Sequence, residues 1–201
     1  MLQSKAIANF AILVIFSCWN FVATDQSLLP PIKFIADFAQ FFITKSVILH
    51  THTHEMTPEL IEFAKQINKE GHYFVIANIQ ENCTVDLQNV DMHLVMIDDD
   101  QSLTYFTDCS NQRKRYNKEP WILYSRSMPN DLIPSLNEAT LDLDDEIYLA
   151  SAQNNETYLT EIYKIGPDSN IDFNDVGVWS EIDNINFTTN PKWYRRGDLK
   201  V

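Results

Sequence analysis

Only four glycines occur in the 201 residues, and none falls in a spacing that could wrap a phosphate group. Walker-type and dinucleotide-type loops both need several glycines within a few residues, so nucleotide chemistry of that kind is excluded. Basic residues are also scarce. Fifteen Lys and Arg stand against 28 Asp and Glu, a formal net charge of -13. Nucleic-acid binding needs a basic face to displace counterions from phosphates, so no nucleic-acid partner is expected. No Gly-x-Ser-x-Gly elbow and no EF-hand spacing is present. The acidic runs Asp98 to Asp100 and Asp142 to Glu146 therefore read as solvated loops.

Cysteine is sparse as well, with three residues, and histidine has five. Cys18 lies in an amino-terminal apolar stretch, "AIANFAILVIFSCWNFVA", that follows the short charged start Met1 to Lys5. This is the layout of a secretory signal, with Val22 and Thr24 as the small residues before a cleavage point. The alternative is an uncleaved signal anchor, since about 18 apolar residues is the lower limit for a spanning helix. No later run is apolar for long enough to cross a bilayer. Residues 1–24 are thus expected to be a signal peptide and the remainder secreted or extracellular. Removing the signal leaves Cys83 and Cys109 as an even pair, expected to form one disulfide in an oxidising compartment. Three glycosylation sequons begin at Asn82, Asn155 and Asn186. Beside a secretory signal they become candidate glycan sites.

What is abundant is apolar patterning, at 45 % of residues. "LLPPIKFIADFAQFFITKS" opens on a proline pair and continues with helical spacing. "KSVILH" is a continuous apolar run, the pattern of a strand buried on both faces. Thr57 and Pro58 open a second helix that Gly71 ends. "HYFVIANI" and "MHLVMI" read as further buried strands, and "SLTYFTDCSNQRKRYN" as a helix ending in the basic cluster Arg113 to Tyr116. "EPWILYS", "DEIYLAS" and "ETYLTEIYKIG" complete the strands, with a short helix broken by Pro134 between the first two. Alternating strands and helices predict an α/β fold, a mostly parallel sheet flanked by helices, organised like a periplasmic-binding-like lobe. That domain is expected over residues 25–165. From Gly166 to Val201 the chain turns polar and lacks a helical period, so this part is expected to be an irregular connector.

One stretch looks chemical. In "VILHTHTHEM", His50, His52 and His54 recur at every second position, so an extended chain would project all three to one face. Three imidazoles can hold zinc, with Glu55, His72 or His93 as supplements, and a His-x-His after a first strand also begins the metal site of barrel hydrolases. Here His72 begins a strand and His93 lies inside one, so the later barrel ligands are missing. The preferred reading is a polar loop leaving the carboxyl end of the first strand, where such sheets keep binding surfaces. No cofactor is expected and no enzymatic activity. A metal-dependent hydrolase using His50, His52 and His54 stays as the least favoured alternative.

The tail carries a resemblance. "YLTEIYKIG", "VGVWSE" and "WYRRGDLK" occur in that order, with the informative positions at Glu161 to Ile165, Gly177 to Trp179 and Arg195 to Leu199. This succession resembles the segment that introduces the ligand-binding domain of arthropod ionotropic receptors, divergent chemosensory members of the ionotropic glutamate receptor family. Val201 stands where that family has glycine. The resemblance implies an amino-terminal fragment, the extracellular part of a ligand-gated cation channel of chemosensory type, with residues 166–201 as connector and truncated start of the ligand-binding domain. In that family the ligand-binding lobes and the pore lie downstream of these motifs. It also implies other receptor subunits as partners, a small-molecule ligand held through the downstream domain, and the plasma membrane as the location of a full-length receptor. Arg195 and Arg196 do not correspond to the family's ligand-contacting arginine. The alternative of another class is a secreted protein that binds a small ligand without a channel.

Overall fold

The computed structural model describes residues 29–52, 56–79, 92–97, 99–112, 119–126, 133–143, 145–166 and 168–188. The chain divides between Pro30 and Pro31 into two units, and everything below concerns the second. The expected signal peptide lies outside the described residues, as do Asn82, Cys83, His54, the basic cluster at 113–116 and Arg195 to Leu199.

Eight strands form one sheet: β1 (Ser46–Thr51), β2 (Tyr73–Asn78), β3 (Met92–Met96), β4 (Trp121–Ser125), β5 (Ile147–Gln153), β6 (Glu156–Tyr163), β7 (Asp172–Ser180) and β8 (Asn184–Phe187). Their order across the sheet is β2-β1-β3-β4-β5-β6-β7-β8. The pairings from β2 to β5 are parallel and those from β5 to β8 antiparallel. Among the described residues four helices accompany it: α1 (Ile32–Phe41), α2 (Pro58–Lys69), α3 (Asp100–Gln112) and the short α4 (Ile133–Leu136). The fold is α/β with a mixed sheet, as the alternation of patterns in the sequence predicts for its first five strands.

The register assigns the helices to faces. Leu49, Leu94, Ile122 and Tyr148 form one row across β1, β3, β4 and β5. Phe38 of α1 packs edge-on against Tyr148, and Phe34 against Tyr124, two residues along from Ile122. Phe63 of α2 meets Phe74 on the same side. The other face carries the row Ile48, His93, Trp121 and Ile147, and α3 covers it through Phe106 on Trp121. Helices on both faces account for the continuous apolar runs: every residue of β4 and the first five of β1 are buried.

The start of α2 follows its sequence signals. Thr57 Oγ1 accepts from the Leu60 amide at 3.2 Å, Pro58 occupies the first turn, and Gly71 takes a left-handed φ of 93° just beyond the end. Two local expectations change. "HYFVIANI" is not buried on both faces, because β2 is the edge of the sheet and leaves Tyr73 and Val75 exposed. Pro134 does not break a helix but stands at the second position of α4, where a missing amide hydrogen leaves no bond unmade.

The larger correction concerns the expected irregular connector from Gly166. Residues 172–187 form β7 and β8, integral to the sheet, so a boundary at 165/166 would separate β6 from its partner. The segment buries Val176 and Trp179, which are three residues apart because a β-bulge at Val176 interrupts the alternation against Leu159 and Thr160. A polar strand half exposed to solvent shows no helical period, which is why it resembles a loop. Two chain features hold the antiparallel half together. The β5–β6 hairpin turns on Asn154 and Asn155, both at positive φ (50° and 66°), the requirement of a two-residue type I′ turn. Gly177 lets β8 approach: a Cβ there would stand 2.5 Å from the Asn186 carbonyl oxygen and 3.0 Å from Phe187 Cα. Both obstacles are backbone and cannot rotate away. Gly177→Ala is therefore expected to destabilise the chain by about 1–3 kcal/mol through strain between β7 and β8. Urea unfolding of the two proteins checks it, and equal midpoints would show that the strands separate freely.

Candidate functional site

The strand order reverses between β1 and β3, since the chain leaves β1 toward β2 on one side and returns to β3 on the other. The helices that follow these two strands, α2 after β1 and α3 after β3, cover opposite faces of the sheet; open α/β sheets bind ligands in the crevice outside the carboxyl ends of strands so arranged. His52 directly follows β1, and Asp99 follows β3 immediately before α3. The sequence repeat His50-x-His52 meets a helical repeat, Ser102-x-x-Tyr105, on the first turns of α3. A period of two on a strand and of three to four on a helix bring matching pairs together.

At the crevice, His52 Nε2 lies 3.0 Å from Ser102 Oγ and 3.4 Å from Asp99 Oδ1. The Ser102 amide donates to Asp99 Oδ1 at 2.7 Å, so the carboxylate also caps α3. Burial raises the Asp99 carboxyl pKa, but the two Ser102 hydrogen bonds and neighbouring His52 outweigh it and leave the group below the usual carboxylate range. The trio is not a nucleophilic triad. That arrangement needs the carboxylate on one ring nitrogen and the hydroxyl on the other, whereas both contacts here fall on Nε2. It can present the His52 imidazole and the Asp99 carboxylate to a polar ligand, with the buried Ser102 hydroxyl holding the imidazole in place.

One step deeper, His50 is a core residue with 2 % of its surface exposed. Its Nδ1 lies 2.9 Å from the Tyr105 hydroxyl and its Nε2 lies 2.9 Å from His93 Nδ1. The planes of the two imidazoles are within 12° of parallel, with ring centroids 5.2 Å apart. The Trp121 indole lies flat beneath both, 4.1 Å from His93 and 5.5 Å from His50 between centroids, at 6° in each case. Burial pushes the His50 pKa down to about 3, so its imidazole is neutral.

These positions redistribute the expected metal candidates. His50 and His52 do share a face, but both nitrogens of His50 are taken by Tyr105 and His93, and His52 points to the crevice. His54 lies outside the described residues. Among the described residues no three His, Cys, Asp or Glu side chains stand where they could hold a metal ion. His72 donates from Nδ1 to the Thr44 carbonyl at 3.0 Å and ties the entry of β2 to the entry of β1. Cys109, fully buried in α3, is disulfide-bonded, and its partner lies outside the described residues. Asn155 at the β5–β6 turn and Asn186 on β8 are both exposed. Sequence reasoning missed Ser102, Tyr105 and Trp121 as partners of the histidines. The one signal for two of them was the spacing of three between Ser102 and Tyr105 in a helix that follows a strand.

Compared with protein-family models, with curated proteins and with solved structures, the chain matches none. No helix among the described residues is long and apolar enough to cross a membrane.

Proposed function

We propose that this chain is the extracellular amino-terminal α/β lobe of an ionotropic-receptor-like protein, a ligand-gated cation channel of chemosensory type in its full-length family. The lobe is read as periplasmic-binding-like, with recognition at the crevice between β1 and β3. The observation that carries the reading is the reversal of strand order there, with His52, Ser102 and Asp99 at the carboxyl ends. The tail motifs add to it. Glu161 to Ile165 begins in β6 and Gly177 to Trp179 lies in β7, so two of the three similar segments lie on adjacent, paired strands. Other receptor subunits and a small polar ligand are the partners of this reading, and Cys83 is the proposed partner of Cys109. The same crevice also fits a secreted small-ligand-binding protein.

The chain, expressed with its own leader in insect cells, tests the shared premise. It should enter the secretory pathway and lose mass on endoglycosidase treatment, less so when Asn155 and Asn186 are replaced by Gln. A product that stays in the cytosol without glycan removes both readings. Sequencing the transcript beyond the codon for Val201 separates them: a ligand-binding domain followed by apolar spans supports the receptor, and a stop codon supports the secreted protein.

A further inference from the structure

The chain Tyr105–His50–His93 links α3, β1 and β3 through two hydrogen bonds, and the crevice does not use it directly. Each link is a single hydrogen bond whose direction follows from proton positions. A neutral imidazole has one N–H and one lone pair, so His50 must donate to one neighbour and accept from the other. A phenol is a good donor and an imidazole nitrogen a good acceptor. With His93 neutral and its Nδ1 bare, His50 Nε2–H donates to His93 Nδ1, and the Tyr105 O–H donates to His50 Nδ1.

Charging His93 reverses this. An imidazolium donates from both nitrogens, so His93 Nδ1–H must point at His50 Nε2. His50 then carries its single proton on Nδ1 and donates it to the Tyr105 oxygen. We propose that proton uptake at His93 inverts the hydrogen-bond chain, switches the tautomer of His50 without charging it, and turns Tyr105 from donor into acceptor. The balance is one proton from solvent. The Tyr105 O–H and His50 Nε2–H bonds break, His50 Nδ1–H and His93 Nδ1–H form, and the Tyr105 oxygen regains a proton.

Two features place the charge on His93 rather than on His50. His93 is half-buried and lies face to face with the Trp121 indole at 4.1 Å, where the negative ring face favours a cation. His50 is in the core and resists ionisation. Among the described residues, the groups nearest the pair come from its neighbouring strands and from α3. The strand β1 adds His52 on the same face, and β2 adds uncharged Val75 and Ala77. The helix α3 adds Tyr105, with Asp99 capping its start, and Cys109, which is held in a disulfide and does not titrate. Glu119 and Glu146 precede the row of His93 on β4 and β5 by two residues and one. The reader of the switch is α3: Tyr105 lies three residues after Ser102, so the proton state of His93 reaches the helix whose first turn grips His52.

Nitrogen-15 NMR of the full chain with labelled histidine, titrated from about pH 8 to about pH 5, tests this, because protonated and bare ring nitrogens resonate far apart. The expected result is that His93 becomes doubly protonated while the single proton of His50 moves from Nε2 to Nδ1 with the same midpoint. The Tyr105 ring carbon bearing oxygen should shift at that midpoint too. A His50 tautomer that stays fixed while His93 titrates would overturn the proposal. So would double protonation of His50 in the folded chain, or a proton on His50 Nδ1 at the alkaline end.

Discussion

Lowering the pH from about 6.5 to about 3 is expected to remove on the order of 5 kcal/mol of folding stability through His50 alone. In the folded chain His50 stays neutral until about pH 3, because burial disfavours its charged form. The unfolded chain leaves it in water, near its ordinary value of 6.5. Between these values the unfolded state binds a proton that the folded state refuses. Stability therefore rises with pH across the window, by about 1.4 kcal/mol per pH unit. The contribution is fully present above the unfolded value and is lost as pH falls through the folded one. Asp99 acts in the same direction at lower pH, since its folded pKa is also depressed; it is half exposed, so its share is small. Domains of this size hold roughly 5–15 kcal/mol in total, so this loss can bring the chain close to unfolding. Urea midpoints at about pH 7.5, 6 and 4.5 measure it. His50→Gln, which keeps a neutral hydrogen-bonding side chain, should flatten the slope while lowering stability at neutral pH. A wild-type profile that is level across the window would mean that His50 is hydrated in the folded chain.

The parts of the fold legible in the sequence are those whose burial pattern is local. The apolar runs of β1 and β4 and the cap and stop of α2 are set by residues adjacent in the chain. The position of β2 at the sheet edge was not legible, because an apolar strand reads alike whether one side or two are paired. The strands β7 and β8 were hidden for a different reason. Their apolar residues are few, a β-bulge at Val176 breaks the alternation of β7, and Gly177 serves a close approach that only the folded chain reveals. The histidine stretch was half legible: its same-face geometry is a property of any strand. That Tyr105 and His93 would occupy both nitrogens of His50 is a matter of register between β1, β3 and α3, separated by 43 and 55 residues. No local pattern carries that information.

Trp179→Ala is expected to cost about 3–5 kcal/mol, although Trp179 lies in a segment that resembles a connector. The indole is 3 % exposed and packs edge-on against Phe34 of α1 at 5.7 Å between centroids. Its Nε1–H donates to Asp37 Oδ2 at 2.8 Å. One side chain of β7 thus anchors α1, whose Phe34 and Phe38 also reach Tyr124 and Tyr148 on β4 and β5. Removing it opens a cavity beneath the helix and leaves the Asp37 carboxylate without this donor. Trp179→Phe should recover most of the packing and lose mainly the hydrogen bond, at about 1–3 kcal/mol for a bond to a charged group. Because Phe34 and Trp179 touch, the double variant Phe34→Ala with Trp179→Ala should lose less than the two single changes added together. A true connector predicts something else: surface substitutions away from packed or bonded groups fall within about 0.5 kcal/mol. Urea unfolding of the four variants beside the wild type decides between these outcomes. A cost within that small range for Trp179→Ala would detach β7 and β8 from the fold. A large, non-additive cost would make residues 172–187 as much a part of the domain as β1.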